Sequence, residues 1–127
     1  MAFEPYPAAA VQPRAVWVLL PPGYDRSSER FPVIYMQDGQ NLFDASTANF
    51  GVEWAIDETM VRLISAGEIR PAIIVGIESS TKRFEEYMPK KAASGDIVTT
   101  GVDGYPTFRT EDLIADQYLD FVVDELK

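Results

Sequence analysis

The feature that most constrains the fold is an unbroken apolar run, PAIIVGI, at residues 71–77. A strand with one face in water alternates apolar and polar residues, whereas a strand covered on both faces is apolar throughout. Pro71 and Glu78 bound the run. We therefore predict that residues 71–77 form a strand of a parallel sheet that is buried on both faces.

A strand and a helix precede this run. Residues 32–37, PVIYMQ, predict a strand, and residues 51–66 predict a helix that Gly67 ends. The helix is indicated by one apolar stripe at helical spacing, formed by Ile56, Met60, Leu63 and Ile64. Strand, helix and strand over residues 32–77 make up a βαβ unit, which we expect to be right-handed.

The chain before this unit contains one more predicted strand. Residues 14–20, RAVWVLL, are apolar and β-branched, and the PPG that follows ends them. A loop of about ten residues separates them from the strand at 32–37, so we expect these two strands to form an antiparallel pair. Residues 1–13, rich in Pro and Ala, are expected to form an irregular N-terminal arm.

The last third of the chain is predicted to be a loop followed by a helix. Residues 78–112 show no sustained periodicity, whereas residues 111–127 return to helical spacing, with Thr110 as a candidate N-cap. The apolar face of this helix consists of Ile114, Tyr118, Phe121, Val122 and Leu126. The fold class is therefore α/β. Because a helix after a buried strand normally leads into another parallel strand, residues 14–127 are expected to be the front part of a larger sheet.

Composition excludes several classes of protein. The net charge of −9, from 20 acidic and 11 basic residues, argues against binding to the phosphate backbone of nucleic acids. Cysteine and histidine are absent, which excludes disulfides, Cys-based metal sites and a histidine base supplied by these residues. No apolar run approaches the ~20 residues of a membrane span, and the first residues lack the pattern of a signal peptide, so the compartment stays open and a cytoplasmic one is favoured. Apolar residues make up 46%, enough for a core in which Trp17 and Trp54 are expected to lie.

Two groups of acidic residues invite a chemical interpretation. Glu53, Asp57 and Glu58 lie in the predicted helix 51–66, where a solvated face is the better explanation because glycosidase carboxylates need partners across a cleft. Asp96 and Asp103 fit no calcium-loop spacing, so we interpret them as solvated loop residues. The sequence predicts neither a metal site nor a cofactor.

Four segments of the chain are informative together: LPPGYD at 20–25, YMQDGQNLFD at 35–44, PAIIVGI at 71–77 and RFEEYMP at 83–89. They resemble segments of the α/β-hydrolase-fold putative esterases of the esterase D group, which is related to enterochelin esterases and mycolyltransferases. Their order and spacing make the match specific, and it covers nearly the whole chain from residue 14 on. The final segment, ADQYLDFVVDELK, looks like the helix that precedes the family's nucleophile strand.

The resemblance implies a three-layer α/β/α fold and ester hydrolysis by a Ser-His-Asp/Glu triad, with the nucleophile in a G-x-S-x-G elbow. The 127 residues contain neither that motif nor a histidine. The chain thus resembles the front portion of a serine carboxylic-ester hydrolase, ahead of its nucleophile, and alone it is expected to be inactive. The alternative is a non-catalytic, acidic binding or assembly module with a partial hydrolase fold.

The resemblance also indicates site residues. In the family, the loop after the strand at this position supplies one oxyanion-hole donor, which here is the backbone N–H of Gln40, while Gly39 permits the turn. Asn41 is a candidate for substrate binding. The family often holds an Arg and an aromatic residue near the pocket, which match Arg83 and Tyr87 here. A plain strand-to-loop turn at DGQN and a surface loop around Arg83 are the alternatives.

The expected partners follow from the same resemblance. The complete enzyme would take a small-molecule ester, and neither a nucleic acid nor a membrane is expected. In the family's sheet the nucleophile strand pairs with the strand at 32–37. Without that strand, PVIYMQ would leave an unpaired apolar edge, so we expect self-association or a complementary C-terminal half.

Overall fold

The computed structural model of the chain describes residues 2–93 and 109–127, with the side chains of residues 2–4 outside that description. Within these residues four strands form, namely β1 (Ala2–Tyr6), β2 (Arg14–Leu19), β3 (Val33–Gln37) and β4 (Ile73–Ile77). The α-helices of the same part are α1 (Ile56–Ser65), α2 (Arg83–Tyr87) and α3 (Ala115–Asp120). The described residues divide into two compact units: those of Met1–Tyr6 with Arg14–Ser79, and those of Pro7–Pro13 with Ser80–Lys127.

The first unit is built on a mixed sheet with the strand order β1-β2-β4-β3. β4 lies inside the sheet, parallel to β3 with Gln37 opposite Ile77, and antiparallel to β2 with Val16 also opposite Ile77. Four of the five residues of β4 are buried. The predicted buried strand is therefore confirmed, and so is the parallel pairing of the two strands that flank α1.

The predicted antiparallel pair between residues 14–20 and 32–37 is wrong. β4 lies between β2 and β3, so these two strands do not pair with each other. A ten-residue loop permits a hairpin but does not require one. A strand buried in a sheet must pair its N–H and C=O groups on both edges, and β4 does so by taking β2 on one side and β3 on the other.

The start of the chain contains a strand where an irregular arm was predicted. β1 pairs antiparallel with β2, with Ala2 opposite Trp17, and its register shifts between Phe3 and Tyr6. Pro5 lies within that shift. Proline lacks an N–H and is tolerated in edge strands and at bulges. Because β1 is the outer strand next to β2, the prolines that suggested an arm are compatible with a strand.

Helix α1 is shorter than predicted at its start and ends as predicted. Ala55 has a left-handed φ of 49°, so the helix begins at Ile56 and not at residue 51. Gly67 adopts a φ of 70°, and its N–H donates to the carbonyl of Ile64 at 3.0 Å. The N–H of the next residue, Glu68, donates to the Leu63 carbonyl at 3.0 Å, which completes a Schellman motif.

Neither tryptophan is fully buried. Trp17 is half-buried on β2, and Trp54 is 49% exposed in the segment before α1. The expectation that Trp54 lies in the core is wrong. The backbone N–H groups of Trp54 and Ile56 donate to the carbonyls of Asn41 and Leu42 at 2.8 and 3.1 Å. This segment is therefore held by backbone hydrogen bonds, which do not require the indole ring to be buried.

The second unit contains α2 inside the predicted loop and a shorter final helix than predicted. The predicted N-cap, Thr110, instead begins a short 3-10 turn, Thr110–Asp112, and α3 starts at Ala115. The Asp112 carboxylate accepts the Arg109 N–H at 2.8 Å within that turn. Leu113 is extended, with ψ 127°, and separates the turn from α3. Asp96 and Asp103 fall outside the described residues.

The apolar face of the last helix largely agrees with its spacing. Tyr118 and Phe121 are buried, with their ring centroids 6.4 Å apart. The other members of the predicted face, Ile114, Val122 and Leu126, are half-buried. From Phe121 to Glu125 the chain continues as a π-helix. None of the helices in residues 2–93 and 109–127 combines the length and the apolar character of a membrane span.

Candidate functional site

The DGQN turn follows β3 directly and reverses the chain within a few residues. Asp38 adopts the left-handed conformation, with φ 56° and ψ 45°, which a short polar side chain tolerates. The Asp38 carbonyl accepts the N–H of Asn41 at 2.9 Å, and the Gly39 carbonyl accepts the N–H of Leu42 at 3.2 Å. These two bonds shape the turn, which lies at the carboxyl end of a parallel strand.

Gly39 lies against the backbone of β4. A Cβ at this position would be 2.6 Å from the carbonyl carbon of Gly76 and 2.6 Å from the nitrogen of Ile77. In the opposite direction, a Cβ on Gly76 would lie 2.8 Å from Cδ1 of Leu42. The positive φ of the turn belongs to Asp38 and not to Gly39. In the structure, the absence of a side chain at Gly39 thus allows the turn to lie close to the backbone of β4.

The side chain of Gln40 is buried and makes two hydrogen bonds to one residue. Its Nε2 donates to Oγ of Ser79 at 2.8 Å, and its Oε1 accepts the Ser79 N–H at 3.2 Å. Ser79 lies two residues beyond the end of β4. The carbonyl of Gln40 accepts the Thr47 hydroxyl at 2.8 Å. The turn after β3 is therefore bonded to the segment after β4, through Ser79, and to the loop that follows the turn itself, through Thr47.

The backbone N–H of Gln40 takes no part in these bonds. The turn is closed by the N–H groups of Asn41 and Leu42, and Gln40 contributes its carbonyl and its carboxamide. Among residues 2–93 and 109–127, no hydrogen bond uses the Gln40 N–H as donor. Buried backbone N–H groups are normally paired. This donor can therefore serve an acceptor from outside the described residues.

Asn41 holds the loop that follows the turn. It is buried, and its Oδ1 accepts the N–H of Asn49 at 2.7 Å. Its carbonyl accepts the Trp54 N–H at 2.8 Å. These bonds account for its burial without a substrate, and the predicted substrate contact of Asn41 stays a prediction.

Arg83 and Tyr87 lie in the second unit, one turn apart on α2. The guanidinium carbon of Arg83 is 5.0 Å from the centroid of the Tyr87 ring and 5.8 Å from that of Phe84. The first distance is typical of a cation–π contact. The Tyr87 ring in turn lies 5.3 Å from the ring of Tyr118 on α3. The structure thus brings the two predicted pocket residues of this unit together, on a helix that the sequence did not predict.

The two acidic residues of α1 differ in exposure: Glu58 is exposed and Asp57 is half-buried. The side-chain hydrogen bond with Asp57 is the main reason why the pKa of Glu58 is raised, and the negative charges of Asp57 and Glu53 act in the same direction. Glu58 is exposed, and with Asp57 it lines a shallow groove on α1. In the part of the chain that the structure describes, no group of three or more His, Cys, Asp or Glu side chains is arranged to hold a metal ion.

Ser79 and Thr47 are the site residues that the sequence analysis missed. A signal for Ser79 existed. The carboxyl ends of parallel strands meet at one edge of a sheet, so the residues after β3 and those after β4 are expected to be neighbours. Polar residues directly follow both strands. No comparable pattern points to Thr47, which reaches Gln40 through the fold of its loop.

Comparison with known proteins gives two matches. A family model described as "Putative esterase" matches residues 8–127. The crystal structure of an IroE-like serine hydrolase from Shewanella oneidensis is similar to this chain, with a TM-score of 0.61 and 28% sequence identity. That match covers 91% of this chain and 32% of the hydrolase, so the chain spans about a third of that protein's length. A search of curated proteins found no match.

Proposed function

The chain belongs to the putative esterase family, and from this membership we propose that it is the front portion of a serine carboxylic-ester hydrolase with a three-layer α/β/α fold. Its contribution is one oxyanion-hole donor and part of the substrate pocket. The nucleophile and the histidine base have to come from other residues, because the 127 residues contain no histidine and no G-x-S-x-G motif. The chain alone is then inactive as an esterase.

The observation that carries this proposal is the backbone N–H of Gln40. It is held in a buried turn at the carboxyl end of β3, the edge at which open α/β sheets bind ligands. The carbonyl of Gly39, in the same peptide group, accepts the N–H of Leu42. In a trans peptide the N–H points away from the C=O. The donor therefore points away from the interior of the turn.

Such a donor suits the chemistry of ester hydrolysis. When a serine hydroxyl attacks the ester carbonyl, the carbonyl oxygen becomes an oxyanion. A fixed N–H stabilises that charge more than it stabilises the ground-state carbonyl, which is how a donor accelerates the reaction. The second donor is the N–H of the residue after the nucleophile, as in other α/β-hydrolases.

Replacing Gln40 tests the proposal in a serine hydrolase that carries this chain together with its nucleophile and histidine. Gln40→Pro deletes the N–H, and we expect kcat for p-nitrophenyl acetate to fall by roughly 10²–10³. Gln40→Ala keeps the N–H but loses the bonds to Ser79, so its loss should be much smaller. Circular dichroism and a thermal melt must show that both variants fold. Equal losses in the two folded variants would mean that the side chain is the working group.

The pocket contribution rests on Arg83 and Tyr87. Arg83 is half-buried, and its guanidinium lies over the ring of Tyr87, which holds it in place. We assign it the role of orienting an acidic or hydroxyl-bearing group of the substrate. Asn41, in the first unit, is retained as a candidate substrate contact.

The proposal includes a protein partner for β3. Within the described residues β3 pairs with β4 along one edge, and its side chains Val33 and Ile34 are 43% and 45% exposed. An exposed apolar strand edge is a template for pairing with another strand. The partner is a complementary C-terminal half of the enzyme or a second copy of the chain.

A further inference from the structure

We infer that Ser79 is a positioning residue. Its two hydrogen bonds to the Gln40 carboxamide hold the Gln40 backbone N–H in the orientation that an oxyanion requires. This inference rests on the proposed function of that N–H. Ser79 uses two of its groups, because its hydroxyl accepts from Nε2 at 2.8 Å and its N–H donates to Oε1 at 3.2 Å. A carboxamide held at both ends cannot rotate, unlike one held by a single bond.

The two hydrogen bonds between Gln40 and Ser79 join the segments that follow two paired strands. Gln37 at the end of β3 lies opposite Ile77 at the end of β4. Gln40 follows the first strand by three residues, and Ser79 follows the second by two. Groups held on strands are placed more reproducibly than groups on free loops. The bond between Gln40 and Ser79 transfers the rigidity of the sheet to the turn.

The turn needs such a restraint because the donor belongs to the peptide that follows a glycine. Gly39 has no side chain to restrict its ψ. A rotation of the peptide between Gly39 and Gln40 changes that ψ and would point the donor in another direction. The hydrogen bond from the Leu42 N–H to the Gly39 carbonyl opposes that rotation on the backbone. Ser79 opposes it through the side chain.

The consequence is a kinetic signature. A donor that is slightly misplaced still allows the ester to bind but stabilises the oxyanion less. Loss of the hydrogen bonds between Ser79 and Gln40 should therefore lower kcat and leave KM nearly unchanged, since the contact of the Gln40 N–H with the oxyanion is made in the transition state. A residue that only supports folding would instead lower the amount of folded enzyme and leave the kcat of the folded fraction intact.

The experiment compares Ser79→Ala, Ser79→Thr and Ser27→Ala in the serine hydrolase that carries this chain. Ser79→Ala removes the hydroxyl that accepts from Gln40, and Ser79→Thr keeps it. Ser27→Ala is the matched control, because the Ser27 Oγ also accepts one hydrogen bond, from the Glu29 N–H at 3.1 Å, but in the exposed loop between β2 and β3. We expect Ser79→Ala to lower kcat roughly tenfold at constant KM, and the other two variants to stay near the wild type.

Amide hydrogen exchange of the same serine hydrolase gives a readout that does not need catalysis. Ser79→Ala should speed exchange at the Leu42 N–H, which donates inside the turn, and Ser79→Thr should restore protection. An unchanged kcat in Ser79→Ala, with Gln40→Pro inactive, would overturn the role of Ser79 and leave the proposed function standing. If folded Gln40→Pro keeps its kcat, the donor is elsewhere, and both the proposed function and this inference are wrong.

Discussion

Gly39 illustrates how a single residue is determined by a neighbour that is remote in sequence. The space that its side chain would fill contains backbone atoms of Gly76 and Ile77, each 2.6 Å from the position of a Cβ. Real Cβ atoms do not approach backbone atoms so closely. Because backbone atoms of a central strand cannot rotate away, any other residue at position 39 would have to push the turn off β4.

The first residue-scale prediction is that Gly39→Ala destabilises the chain. We expect the free energy of unfolding to fall by about 1–3 kcal/mol, the usual cost of overpacking a filled site. Urea-induced unfolding measures this change. Gly23→Ala is the matched control, since Gly23 has a positive φ of 82° and nothing within 4 Å of a Cβ. It should cost less, because its conformation is strained but no atom lies in the way of the new methyl group. A loss in Gly39→Ala no larger than in Gly23→Ala would contradict the collision with β4.

At the scale of elements, α2 places a cation and an aromatic ring on one helical face. The helix has five residues, too few to be stable alone. The N–H of Ile114 donates to the Glu85 carbonyl at 2.9 Å, which anchors α2 to the start of α3. The contact between the rings of Tyr87 and Tyr118 adds to this anchor. The position of Arg83 therefore depends on the packing of α2 against α3.

The prediction for this element concerns substrate preference. In the complete enzyme, Arg83→Ala should raise KM for negatively charged esters more than for neutral esters, because the guanidinium provides the charge that attracts the former. Arg83→Lys keeps the charge but loses the planar group over Tyr87, and we expect an intermediate KM. Steady-state kinetics with matched charged and neutral p-nitrophenyl esters measures the difference. Equal increases for both ester classes would assign Arg83 a structural role.

At the scale of the whole molecule, the sheet presents an apolar edge strand. Val33 and Ile34 on β3 are nearly half exposed, and within the described residues β4 pairs with one edge of this strand. Apolar edges of this kind promote pairing between chains. The net charge of −9 opposes association in general but does not cover a specific strand edge.

We therefore predict that the 127-residue chain self-associates or requires a complementary chain. Sedimentation velocity should show species larger than a monomer, and Ile34→Lys should shift the distribution towards the monomer because a charged edge resists pairing. Val61→Lys is the control, since Val61 is similarly exposed, at 48%, but lies on α1. A monodisperse wild-type monomer with a cooperative melt would contradict the prediction.

The local features of this protein were accessible from its sequence. The apolar run at 71–77 predicted the buried strand β4, and the spacing of strand, helix and strand predicted the parallel pairing of β3 with β4. Gly67 predicted the end of α1 because a Schellman motif needs only residues within two turns of each other. The DGQN motif also predicted where the turn lies. Each of these inferences depends on periodicity, propensity or turn chemistry over a few neighbouring residues.

The tertiary structure decided what depends on partners remote in the chain. It placed β4 between β2 and β3, which loop length alone does not determine. It also made residues 2–6 a strand, which pairs with the edge of β2 that does not face β4. It gave Asp38 the positive φ of the turn and placed Gly39 in contact with β4. The bond between Gln40 and Ser79 joins residues 39 positions apart. No local pattern encodes such a pair, because the two residues become neighbours only when β3 and β4 align and bring their carboxyl ends to one edge of the sheet.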